Sequence, residues 1–131
     1  MLPATRPALL YSRSVEDVRV LRPWFTGLGI TLISLHGPEP AETPILSRVC
    51  EFVLLDLDGE PDWRSTLREL RLWAPLTEVI VYTRRAETDI WIEALESGAF
   101  DLVSKPFLRR EVETVVNTLR RRHPRTHATA A

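Results

Sequence analysis

A chain of 131 residues, 44% hydrophobic and 27% charged, has the composition of one globular domain and is too short for two comfortable cores. Its net charge of -1 excludes broad affinity for nucleic acid or acidic membranes. The single cysteine, Cys50, excludes an internal disulfide, no run reaches the ~18–20 apolar residues of a membrane span, and no charged-then-apolar leader opens the chain, so a cytoplasmic protein is expected.

Short apolar runs alternate with amphipathic stretches, the pattern of βαβ units around a parallel sheet. Strands are expected near Ala8–Ser12, Ile30–Leu35, Glu51–Asp56, Glu78–Tyr82 and Asp101–Ser104. Their continuous apolar character suits strands covered on both faces. Ser14-Val15-Glu16-Asp17 reads as a capping box opening a first helix with Val18, Leu21, Phe25 and Leu28 on one face. Pro23 lies inside it and predicts a kink or an early end, since an interior proline costs roughly 3 kcal/mol. A short second helix is expected after extended Pro38 and Pro40, capped by Thr43 with Pro44 in its first turn. Pro61 opens a third helix that Pro75 closes after Trp73. The fourth runs from about Ala86 to Ser97 and stops at Gly98. Thr88, Ile92 and Leu95 are expected to face the sheet, which leaves Ile90, Trp91 and Ala94 as an outward apolar patch. The fifth, Leu108 to about Arg122, is expected to bury Leu108, Val112, Val115 and Leu119 before Pro124 ends it. One domain therefore spans residues 1–124, followed by a flexible tail at 125–131.

Three strand ends carry polar groups suited to chemistry. Asp56 closes Phe52-Val53-Leu54-Leu55, Thr83 follows Val79-Ile80-Val81-Tyr82, and Lys105-Pro106 follows Leu102-Val103-Ser104. In an open α/β sheet these ends gather at one edge, where such folds bind ligands. No Gly-rich phosphate loop appears, nor a serine or cysteine nucleophile with a partner at a readable spacing, so no enzyme is expected. His36, His123 and His127 lack metal-ligand spacing. The run Arg120-Arg121-Arg122-His123 is explained by cations favouring a helix C-terminus, so nucleic-acid contact is not expected.

The segments Phe52–Asp58, Val79–Thr83 and Ala94–Phe107, above all Gly98-Ala99 and Lys105-Pro106-Phe107, resemble the receiver domain of two-component response regulators. The resemblance implies a flavodoxin-like (βα)5 three-layer sandwich, with a parallel five-stranded sheet of order 2-1-3-4-5 and a cis bond between Lys105 and Pro106. Strands ~4.8 Å apart then put the Lys105 backbone roughly 10 Å from that of Asp56, within reach of a lysine stem. By the same resemblance Asp56 is the acceptor of a phosphoryl group from a histidine kinase. Lys105 and Mg2+ neutralise the charge, and Thr83 binds the phosphoryl oxygen.

The chain departs from that family's pattern at several positions. Ser12 and Arg13 stand where the family has an acidic metal-binding pair, and Glu16 and Asp17 lie a helical turn too far to replace it. Arg84 follows Thr83 where a small residue is usual, Leu102 takes the place of the switch aromatic, and Pro61 falls one residue late. At 4 Å and an effective dielectric near 20, like unit charges repel by roughly 4 kcal/mol, so weak or absent Mg2+ binding is expected. Arg13 reads either as a solvated loop arginine or, more sharply, as a side chain expected to take the ion's place and pair with Asp56. No other cofactor is implied. The resemblance makes signalling proteins the partners, a sensor kinase or downstream effector, or a second copy, docking on the fourth helix, fifth strand and fifth helix. The expected function is an atypical receiver acting by protein interaction. A working phosphoacceptor on Asp56 stands second, and a flavodoxin-like binder of small anions near Lys105, Arg13 and Arg84 third.

Overall fold

Side chains alternate along each strand, and that parity divides the core in two. In the computed structural model, which describes residues 6–35 and 50–123, the strands are β1 (Ala8–Tyr11), β2 (Leu32–Leu35), β3 (Phe52–Asp56), β4 (Val79–Thr83) and β5 (Asp101–Ser104). They form one parallel sheet of order β2-β1-β3-β4-β5. The described helices are α1 (Val15–Gly27), α2 (Trp63–Trp73), α3 (Thr88–Glu96) and α4 (Arg109–Arg122). The helix expected at Thr43 and Pro44, the residues His36 and His127, and the tail at 125–131 lie outside the described residues.

Ala8, Leu10, Phe52, Leu54, Ile80, Tyr82 and Val103 pack with α1 and α4 on one face. Leu9, Tyr11, Val53, Leu55, Val79 and Val81 pack with α2 and α3 on the other. Both faces are therefore covered, which explains why the strands read as unbroken apolar runs. This is the flavodoxin-like three-layer sandwich. Among the described residues no helix is long and apolar enough to cross a membrane.

Local punctuation sets the helix ends. Ser14 caps α1, its side chain accepting the Asp17 N–H at 3.2 Å. The expected early end at Pro23 does not occur, because α1 continues to Gly27 with Pro23 on its exposed side. Water can there satisfy the carbonyl that the proline leaves unpaired. After α3 the chain turns at Gly98, whose φ of +111° excludes most side chains. Leu108 is not in the core as expected. It is the extended residue before α4, 62% exposed, outside the helical phase that buries Val112, Val115, Val116 and Leu119.

Arg120 ties the layers together. It donates two hydrogen bonds to Glu51, at 2.6 and 3.1 Å, and a third to the Leu28 carbonyl at 3.0 Å. The first of the clustered arginines is thus internal, not a free basic surface.

Candidate functional site

Strand parity gathers the site on the α1 face of the sheet. Ser12 follows Leu10 by two residues and Asp56 follows Leu54 by two, so both turn towards α1, as does Tyr82. Ser12 and Asp56 are 5% and 6% exposed. The Ser12 hydroxyl donates to Asp56 Oδ2 at 2.8 Å and accepts the Ser14 N–H at 3.0 Å. The other Asp56 oxygen accepts the Asp58 N–H at 3.0 Å. Both oxygens therefore face neutral donors.

Lys105 does not pair with Asp56. Its ammonium lies 2.7 Å from Asp17 Oδ2, and both side chains are more than nine-tenths buried. Tyr82 donates its hydroxyl to the same oxygen at 3.1 Å. Asp17, judged from sequence to lie too far along the helix, is thus a member of the site. It precedes Leu21 by four residues and Phe25 by eight, on the buried stripe of α1, and that spacing was the signal for it. The ammonium also stands 5.2 Å from the Tyr82 ring and 5.9 Å from that of Phe107, favourable cation–π distances. The Lys105–Pro106 peptide is cis.

Asp58 is the third carboxylate of the pocket. It accepts the Thr83 hydroxyl at 2.5 Å and the Arg84 N–H at 3.0 Å, and lies 3.9 Å from the Lys105 ammonium. Thr83 also accepts the Arg85 N–H at 3.1 Å, so its hydroxyl is engaged on both sides. The expected Arg13–Asp56 pair is not formed. Arg13 is exposed and lines the pocket mouth with Arg84 and Arg85, with no ion pair among the described residues. Parity accounts for this, since successive residues point opposite ways and Ser12 takes the inward position.

Burial pushes the Asp56 carboxyl above its ordinary range, against the lowering influence of Ser12, the Asp58 N–H and Lys105, while Asp17 adds to the rise. Burial likewise pushes the Tyr82 phenol up. The pocket holds three carboxylates, two of them within 4 Å of its ammonium. Even so, the donor set does not fit Mg2+, which needs several hard oxygens with free lone pairs. The Ser12 hydroxyl points its proton at Asp56, the ammonium sits between Asp17 and Asp58, and no three acidic, His or Cys side chains among the described residues are grouped to hold an ion.

No family model matches the chain. Protein PetR of Rhodobacter capsulatus is 35% identical over 128 residues, 95% of this chain and 53% of that protein. The KDP operon transcriptional regulatory protein KdpE of Escherichia coli is 31% identical over 112 residues, 84% of this chain and 49% of that protein. A Francisella response regulator receiver domain superposes with a TM-score of 0.77 at 25% identity, over 91% of this chain and 99% of its own. This chain is a receiver domain of the response-regulator type. It spans about half the length of the curated relatives it matches.

On this receiver domain the outward face of α3 differs from the expected one. Ala94 is fully buried and Ile90 packs against the core, while Trp91, Ile92 and Leu95 are 47%, 50% and 43% exposed. Ala94 is the smallest residue of the helix, and facing it inward brings α3 closest to the sheet. Leu102, expected from sequence to stand in for a switch aromatic, is half-buried against the same core.

Proposed function

We propose that this receiver domain is a protein-interaction module in phosphorelay signalling and works without Mg2+-dependent phosphorylation of Asp56. The observation that carries the reading is the engagement of both Asp56 oxygens and of the pocket lysine. Ser12 and a backbone N–H occupy its oxygens, and the lysine that would neutralise a phosphoryl group is held by Asp17. Phosphoryl transfer depends mainly on cations already placed around the moving charge, and here the strand-end ammonium is committed to Asp17.

The partners in this reading are signalling proteins, a sensor kinase or effector, or a second copy, docking on the face of α3, β5 and α4 in the cytoplasm. Exposed Trp91, Ile92 and Leu95 on adjacent turns support that choice of surface.

A second reading, phosphorylation of Asp56 by a histidine kinase, draws on Thr83 and Lys105 following on the two strands beyond Asp56. Incubation with acetyl phosphate and MgCl2, followed by intact-mass measurement, separates the two. No added mass is expected. A phosphoryl mass present in the wild-type chain and lost in Asp56→Asn overturns the interaction-only reading.

A further inference from the structure

Three carboxylates compete for one ammonium in the receiver pocket, and α1 supplies the winner. Asp56 receives Ser12 and the Asp58 N–H, and Asp58 receives Thr83 and the Arg84 N–H. Each takes its hydrogen bonds from neutral donors, and Asp58 stands 3.9 Å from the ammonium, beyond hydrogen-bond distance. Among the described residues the Asp17 carboxylate has only the Tyr82 hydroxyl besides Lys105, and its position is set by a helix whose first turn is capped by Ser14. A buried carboxylate with a single neutral donor needs a cation, and a buried ammonium needs a carboxylate. The two meet at 2.7 Å, with 8% and 9% of their side chains exposed. Lys105 is also the only lysine in the chain, so no other side chain can supply an ammonium here.

We propose that Asp17 is a positioning residue that acts through Lys105: it holds the ammonium on α1, away from Asp56, and so fixes the pocket in one charge arrangement. The usual approach of the strand-end lysine to the strand-end aspartate is replaced by a helix-to-strand ion pair. This role belongs to the unphosphorylated receiver proposed above. It is read at the lysine and not at Asp56, so the two can fail separately.

A single lysine makes the test direct. Acylation of the full-length chain with an N-hydroxysuccinimide acetate, followed by peptide mass spectrometry, gives a rate for Lys105 alone. Asp17→Asn is expected to raise that rate about tenfold or more, because it removes a buried charge-assisted hydrogen bond. Asp17→Glu keeps the charge and is expected to return the rate close to wild type, and Asp56→Asn to change it far less than Asp17→Asn does. Equal rates in wild type and Asp17→Asn, no rescue by Asp17→Glu, or an acceleration in Asp56→Asn matching that of Asp17→Asn would each overturn the assignment. Should Asp17→Asn fail to fold, the wild-type chain decides by NMR of the 15N-labelled ammonium. A scalar coupling across the hydrogen bond from Lys105 Nζ to Asp17 Cγ is expected. Coupling to Asp56 Cγ, or an ammonium exchanging freely with water, refutes it. Phosphoryl uptake by the wild-type chain would instead remove the functional reading while leaving the ion pair standing.

Discussion

The Ser12 hydroxyl donates to the Asp56 carboxylate at 2.8 Å, joining the ends of two neighbouring strands at a point where both side chains are buried. The hydroxyl is one of two donors that keep this desolvated carboxylate charged, the other being the Asp58 N–H. Ser12→Ala leaves a buried acceptor one donor short, which costs about 1–3 kcal/mol. The Asp56 carboxyl should also rise further in pKa. Urea denaturation and a carboxyl 13C titration measure the two effects, and an unmoved titration would mean that the hydroxyl does not act on the charge.

Stability should depend on pH through the same carboxyl. Asp56 holds its proton more tightly folded than unfolded, because burial disfavours the charged form. Between its ordinary value of 3.8 and the raised folded value, the folded state binds more protons than the unfolded one, so its contribution to stability is lost as pH rises through that window. Asp56→Asn carries no charge to desolvate. Its stability relative to wild type should therefore increase as pH rises from acid towards neutral and level off above the folded pKa. Thermal melts of both proteins across that range check the trend, and a relative stability that falls with pH would mean that the fold stabilises the charged carboxylate.

The strand ends were legible because polar residues interrupt long apolar runs, and Asp56, Thr83 and Lys105 are where those runs stop. Which side chains meet at the edge was not legible in the same way. Pairing between Asp17 and Lys105 depends on the tilt of α1 across the sheet, and no local pattern encodes it. Ser14 caps the helix as the capping-box reading has it, but the reciprocal half is absent: the Ser14 N–H goes to Ser12, and the Asp17 carboxylate goes to Tyr82 and Lys105, the role that reading hides. The phase of α3 failed for another reason. Ile90, Trp91, Ile92, Ala94 and Leu95 surround most of the helix, so periodicity supplies no polar face to orient it.

That phase can be checked by stability alone. Ala94 is fully buried, so Ala94→Leu adds three carbons to a buried contact and should cost about 1–3 kcal/mol through overpacking. Ile92→Glu, on the exposed side, should change stability by less than about 0.5 kcal/mol. The same substitution should abolish any self-association or partner binding carried by this face, measured by sedimentation across a concentration series. If Ile92→Glu destabilises as much as Ala94→Leu, the helix is turned the other way.

Glu51 and Arg120 make another buried ion pair, and it separates a structural arginine from its solvated neighbours. The Glu51 side chain is 1% exposed and receives two hydrogen bonds from the guanidinium, which also reaches the carbonyl that ends α1 at Leu28. Removing one partner of such a pair strands a buried charge, at a cost of about 3–5 kcal/mol, whereas removing both and filling the space with apolar atoms is close to neutral. Arg120→Met should therefore destabilise the domain by that amount, and pairing it with Glu51→Leu should recover most of the loss. Arg121 is exposed, and among the described residues its side chain bonds only Thr118 on its own helix, so Arg121→Met should be silent. Denaturant unfolding of the single and double variants measures the coupling. A double variant no more stable than Arg120→Met alone would show that the guanidinium contributes through its bond to Leu28 and not through the charge it covers.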